Sequence, residues 1–308
     1  MELEVVHETR YTYGAPVSLA HHLAHLQPLD DDHQQLLSHD LLTEPDGEIH
    51  HAGVDSFGNA CLWFSRTLPH DQLLVRSSSR VRLQPRFAAL QPAASPPWDT
   101  LAAGLRYVAR GAFDAAVQFS MPSPFVPRLE VLRAYAAASF VPGRPVLLGA
   151  IDLMQRIHAD FEYRSASTQI DTPLAQTFEQ RAGVCQDFAH MLAGALRMLG
   201  LPARYVSGYL LTQPAGAPGA LLGADASHAW VQVYAPGTPG LPGDWLDLDP
   251  TNNLIPALGH VRLALGRDFG DVTPLRGVIR GGGDAHTLAV AVHTRAVDGG
   301  PTLANVAA

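Results

Sequence analysis

The chain has 308 residues, 47% apolar and 16% charged, which is a folding composition with enough apolar material for about two domains. Its net charge of −8, without a long basic run, excludes the positive footprint of a sequence-independent nucleic-acid binder. No apolar stretch approaches the 18 or so residues that span a bilayer. The first eight residues carry neither a basic nor an apolar signal region. Two cysteines, Cys61 and Cys185, cannot build a disulfide framework, and they fit a reducing compartment. A cytoplasmic location without membrane contact is therefore expected. All 21 basic residues are arginine, so the chain contains no lysine.

Residues 3–13 alternate. Leu3, Val5, His7, Thr9, Tyr11 and Tyr13 share one face, which predicts a half-buried strand. The pattern returns over 73–83, where Val75, Val81 and Leu83 oppose Arg76, Arg80 and Arg82. Turn signals at Glu44-Pro45-Asp46-Gly47 and Phe57-Gly58-Asn59 separate the two. An antiparallel β-domain over 1–90 follows. A proline-rich stretch, 84–98, leads to a helical connector over 91–144. Trp98, Leu101, Leu105 and Val108 predict its first helix, and a second is expected over 128–140.

Over 145–270 the helices precede the strands. Leu147, Ile151, Met154, Ile157 and Phe161 predict one helix; Val184, Phe188, Met191, Leu192, Ala195 and Leu199 predict another, ended by Gly200 and Pro202. Strands are expected over 203–211, 229–235 and 244–249. The Gly/Pro/Ala-rich 213–225 is expected to be a mobile loop. One strand, carrying Leu288, Val290, Val292 and Thr294, is expected in a tail over 271–308 whose last dozen residues fray. The order makes the chain α+β, not alternating βαβ.

Cys185 opens the second of these helices, where free backbone N–H groups and the positive end of the helix dipole favour the nucleophilic thiolate. His228 starts a strand, and an imidazole is the group that would share the thiol proton. Asp249 ends the next strand and could orient that imidazole; Asp247, on the same strand face, is the rival. A cysteine at a helix start followed by a histidine and an acid on strands is the order of papain-like thiol enzymes. Trp230 is either core or a wall of the cleft. Asp187 is expected to stabilise the helix start, and Cys61 to be a buried strand residue.

Gly183-Val184-Cys185-Gln186-Asp187-Phe188-Ala189-His190, Ser227-His228-Ala229-Trp230 and Asp249-Pro250-Thr251-Asn252 resemble, as a trio, the core motifs of the bacterial transglutaminase-like superfamily. Thr12-Tyr13-Gly14-Ala15-Pro16-Val17, Asp55-Ser56-Phe57-Gly58-Asn59 and Asp271-Val272-Thr273-Pro274-Leu275-Arg276-Gly277 resemble the preceding β-domain and the tail of one bacterial subfamily. The resemblance implies a papain-like transglutaminase core of helices packed on an antiparallel sheet. It also implies Cys185 as nucleophile, His228 as base then acid, and Asp249 as orienting acid, because the family acid directly precedes Pro-Thr. Tyr163 or Gln180 could add to an oxyanion hole begun by the Cys185 N–H.

The implied activity is thiol-dependent hydrolysis of amide or peptide bonds in a protein or peptide substrate, through a thioester. Transfer to an amine, or a non-catalytic scaffold retaining the fold, are the alternatives. No cofactor and no metal are expected. His21, His22 and His25 offer an i, i+4 pair, but no acid or cysteine set at metal spacing lies near them in the chain.

Overall fold

The computed structural model describes residues 1–46, 48–165, 167–212, 221–222 and 227–297. Most of the 213–225 insert and the last eleven residues lie outside this set.

Five strands come first: β1 (Glu2–Ala24), β2 (Gln34–Glu44), β3 (Glu48–Val54), β4 (Ala60–Arg66) and β5 (His70–Leu83). They are followed by α1 (Trp98–Gly104), α2 (Glu130–Ala137), α3 (Val146–Asp160), β6 (Glu162–Tyr163), α4 (Leu174–Gln180), β7 (Ala182–Gly183) and α5 (Cys185–Met198). The chain then runs through β8 (Ala203–Leu210), β9 (His228–Tyr234), β10 (Trp245–Leu248), β11 (His260–Gly266), β12 (Leu275–Gly281) and β13 (His286–Ala296). The α+β architecture, with an antiparallel N-terminal sheet and helices packed on an antiparallel core sheet, holds.

The alternation of residues 3–13 is carried through. Leu3, Val5, His7 and Thr9 are buried on one face of β1. That strand is the spine of the first sheet, ordered β2-β5-β1-β4-β3. An irregularity between Thr12 and Val17 divides β1. Its first half lies between β5 and β13, and its second half between β4 and β12. The tail therefore contributes two strands, not one. Both fold back onto β1, and Val292 joins the core formed with Leu3 and Val5.

The second sheet, β10-β9-β8-β11, is antiparallel throughout. Helices cover one face, where Ala229, Val231 and Val233 meet Phe188 and Leu192 of α5. The β-domain covers the other, where Tyr209, Val261 and Leu263 pack on Leu3, Val5 and Val81. Covered on both faces, β9 is buried from His228 to Val233, its polar His228 and Gln232 included. α5 is buried from Asp187 to Met198, as a central helix must be.

The helical connector is shorter in its helices than the periodicity suggests. α1 stops at Gly104, leaving Val108 exposed, and Leu129 is extended ahead of α2. Leu132 and Ala136 of α2 belong to the core centred on α5, so this segment packs as part of it.

Two side-chain amides dock the sheets. Asn59 accepts from Leu265 N–H and donates to Leu265 C=O, both at 2.7 Å. Gln34 does the same to Arg262, again at 2.7 Å each. β11 is the edge of its sheet, and these amides satisfy backbone groups that would otherwise be buried without partners.

Candidate active site

α5 begins where the chain turns through Arg181, in the left-handed region (φ 54°), and the short parallel pair β6–β7. Asp187 accepts a hydrogen bond from Val184 N–H at 2.9 Å and so caps the helix start, as its position implied. Thr168 Oγ1 also donates to this carboxylate, at 2.6 Å. Burial holds the Asp187 pKa above the ordinary carboxylate value despite these bonds. Gly183 packs against Asp187 so closely that a Cβ there would lie 2.8 Å from the carboxylate. Cys185 is thus presented, half-buried, on a rigid first turn, with its Sγ 4.0 Å from the Ser227 carbonyl.

His228, the first residue of β9, is buried beside it. Its Nε2 is 2.9 Å from Asp249 Oδ2. A carboxylate oxygen accepts, so Nε2–H is the donor to Asp249, and Nδ1 is the nitrogen that exchanges a proton. That Nδ1 is buried without a hydrogen-bond partner, and the Cys185 thiol lies near enough to act on the ring. Burial pushes the imidazole pKa down. The Asp249 charge and hydrogen bond, with a smaller contribution from Cys185, outweigh it and raise the pKa to about 10. Asp249 is fully buried. Burial would raise its pKa, but His228 and His260 hold it well below the usual carboxylate range.

The two acids separate because β10 ends at Leu248. Asp249 leaves the strand into a bridge with Leu254 and turns to His228. Asp247 stays in the strand and accepts from Trp230 Nε1 at 2.8 Å, Gln232 Nε2 at 2.7 Å and Arg86 Nη1 at 3.1 Å. Strand periodicity could not distinguish them, because the distinction lies where the strand stops. Trp230 is core: it is fully buried and stacks on His228 with centroids 6.1 Å apart.

One residue escaped the sequence reading. His260 Nε2 is 3.0 Å from the same Asp249 Oδ2. Asn252 Nδ2 also donates to that oxygen at 2.8 Å, while Thr251 N–H and Asn252 N–H hold Oδ1 at 2.9 and 3.1 Å. Nothing in the local pattern of residues 258–262 marks His260; only the pairing of β11 with β8 brings it to the acid.

Cys185 and His228 open into a cavity of about 450 Å³. Tyr163 lines it, with its ring edge-on to Phe188, whereas Gln180 is exposed at the end of α4 and does not. The opposite wall comes from the β-domain and the tail, through His7, Thr9, Tyr11, Leu288 and Val290. His7 bonds Tyr209 Oη through Nδ1 and Thr9 Oγ1 through Nε2, each at 3.0 Å, and burial lowers its pKa to about 4. A thiol, a histidine whose Nδ1 has no other hydrogen-bond partner, a buried acid and a walled cleft together can support acyl transfer.

Comparison with known proteins adds an independent frame. Residues 3–82 match the bacterial transglutaminase-like N-terminal region, and residues 136–250 match the transglutaminase-like superfamily. An uncharacterised protein of Mycobacterium tuberculosis is 37% identical over 89% of this chain and 86% of its own. One of Mycobacterium leprae is 29% identical over 91% of this chain and 94% of its own. A protein-glutamine gamma-glutamyltransferase of Pseudomonas aeruginosa is 36% identical over 109 residues, 34% of this chain and 15% of that one. Among solved structures, a candidate cysteine protease from Cytophaga hutchinsonii superposes with a TM-score of 0.71, covering 99% of this chain and 94% of that chain. At 22% identity, that likeness shows the fold.

Proposed function

The chain belongs to the transglutaminase-like superfamily, and from that premise we propose that it is a thiol-dependent hydrolase of amide or peptide bonds, with Cys185, His228 and Asp249 as its triad. The observation that carries this reading is the His228–Asp249 contact of 2.9 Å, which leaves Nδ1 unpartnered beside a thiol at a helix start.

In the reaction, His228 stands as the imidazolium with the shared proton on Nδ1, and the Cys185 thiolate attacks the carbonyl carbon. The carbonyl electron pair moves to oxygen, where the backbone N–H at the start of α5 and the Tyr163 hydroxyl are the candidate donors. Collapse breaks the C–N bond, and the imidazolium protonates the departing amine. Water, deprotonated by His228, then attacks the thioester; the C–S bond breaks, the acid is released, and the water proton stays on His228 beside the Cys185 thiolate, as at the start. Asp249 stays ionised throughout and holds the ring.

Local likeness to the Pseudomonas aeruginosa protein-glutamine gamma-glutamyltransferase supports the second reading, in which an amine resolves the thioester. Without lysine, the chain has no side-chain amine to serve as acceptor, so the amine must come from outside. The test therefore combines a glutamine-containing protein and a tagged small amine with a parallel peptide-cleavage assay. Cys185-dependent cleavage or deamidation with little tag incorporation is expected, since water at about 55 M competes unless the site excludes it. Efficient tagging at millimolar amine without comparable hydrolysis would replace this reading with the transferase.

A further inference from the structure

Two clusters of histidine with carboxylate lie in the described residues, and they differ in spacing. In His228–Asp249–His260 the nitrogen–oxygen distances are 2.9 and 3.0 Å, ordinary hydrogen-bond lengths. The other joins His25, just after β1, with Asp55 in the β3–β4 turn and Cys61 in β4, one donor atom of each lying within 4.8 Å of the others. Here His25 Nε2 and Asp55 Oδ2 are 3.5 Å apart, beyond a good hydrogen bond.

The proton on His25 can be located. Its Nδ1 is 3.2 Å from the Thr273 carbonyl, which only accepts, so Nδ1–H is the donor. Nε2 therefore faces a carboxylate oxygen, and the Cys61 sulfur, whose thiol donates to the Asn59 carbonyl at 3.5 Å, is a third candidate ligand atom. His25 and Cys61 are each 2% exposed, and water does not separate them freely. A nitrogen, an oxygen and a sulfur thus converge on one small volume, the ligand types and spacing that a soft divalent cation takes.

We propose that His25 Nε2, Asp55 Oδ2 and Cys61 Sγ bind one zinc ion that ties β1 to the β3–β4 hairpin within the β-domain, beside its contact with the catalytic core. Bonds of roughly 2.0–2.2 Å to a nitrogen and an oxygen 3.5 Å apart subtend about 115° at the metal, close to tetrahedral. Across the 2.9 Å of the His228 cluster the same bonds would subtend about 90°, and Asp249 Oδ2 already accepts from His228, His260 and Asn252. Nitrogen, oxygen and thiolate together select zinc over calcium or magnesium. The supporting shell is in place. Thr273 orients the imidazole, and Asn59 Nδ2 and the Phe57 and Asn59 N–H groups hold the Asp55 carboxylate at 2.7–2.9 Å. On binding, the Cys61 S–H bond breaks, a Zn–S bond forms and the proton leaves to solvent, with no electron transferred. Asp55, partly exposed, gives the entry path, and water completes the coordination.

The site lies where it would matter for the cleft. Thr273 lines the Cys185 cavity, and Asn59, between Asp55 and Cys61, is the amide that docks β11. A metal here would brace the cavity wall without touching the reacting atoms.

The Cys185→Ser chain provides a clean test, because its one remaining thiol is Cys61. After chelator treatment it is titrated with Co²⁺, then Zn²⁺. One ion retained per chain after desalting is expected, with a thiolate-to-cobalt charge-transfer band that zinc abolishes. Adding His25→Gln should weaken binding at least 100-fold. The band is read with all three ligands intact, so it does not depend on a variant folding. No retained ion and no band would overturn the proposal, as would retention that survives both Cys61→Ser and His25→Gln.

Discussion

At the scale of single residues, the two acids of the 247–249 segment have different duties. Asp249 faces the imidazole, and Asp247 neutralises Arg86 while holding Trp230 and Gln232. Cys185→Ala and His228→Ala are expected to abolish turnover without additive losses, since the two act as a unit. Asp249→Asn should lower kcat by about 10²–10⁴-fold, because the amide no longer enforces the reactive tautomer. Asp247→Asn should leave kcat largely intact and lower Tm instead, since Arg86 then loses its partner. A larger kcat loss at Asp247 than at Asp249 would reverse the assignment. Of the proposed triad, His260 hydrogen-bonds only Asp249, so any effect on turnover is expected to pass through that acid. His260→Phe should cost about tenfold in kcat with little change in KM, the equivalent of one charged hydrogen bond partly lost. His260→Gln, which restores an N–H near the same place, should recover most of it; equal losses in the two variants would make its role mere packing.

At the scale of elements, the start of α5 and the edge of β11 carry the site. α5 presents the thiol because Asp187 closes its first turn, and β11 delivers His260 because the β-domain covers its open edge. Asn59→Ala would leave the Leu265 N–H and C=O buried without partners, at about 1–3 kcal/mol for each unmet group. A clear fall in Tm is expected by calorimetry, and a comparable fall for Gln34→Ala, which serves Arg262 in the same way. An unchanged Tm in both would show that these amides do not dock the sheets. The helix and core-strand positions were legible in the sequence: the periodicity of Val184 to Leu199 and the runs near 203, 229 and 244 match α5, β8, β9 and β10 within a residue or two. The tail was not, since its two strands complete a sheet begun more than 250 residues earlier, and local alternation cannot name a partner.

At the scale of the whole molecule, buried histidines set the acid limit. Burial lowers the pKa of His7 and His22 to about 4 and of His190 to about 3. In the unfolded chain such groups titrate near 6.5. Below that value the unfolded state binds more protons, so stability falls as pH drops from about 6.5 toward 4 and is independent of these three groups above 6.5. His228 has the opposite sign: its raised pKa stabilises the fold below about 6.5, and that contribution is lost as pH climbs through about 10. Denaturant unfolding followed from pH 8 to pH 4 should therefore show a steep acid loss, reduced in His190→Phe. A flat profile between pH 6.5 and 4 would contradict neutral burial of these rings.

The sequence by itself determined the α+β order, the thiol at a helix start, the histidine at a strand start and the absence of lysine, because periodicity, capping and composition are local properties of a chain. Only the tertiary structure decided which acid meets His228, that His260 shares it, that β1 and β13 wall the cavity, and that His25 lies against Asp55 and Cys61. Each of these depends on where a strand ends or which distant strand it pairs with, and such pairings follow from the burial of whole faces, which no short stretch of residues encodes.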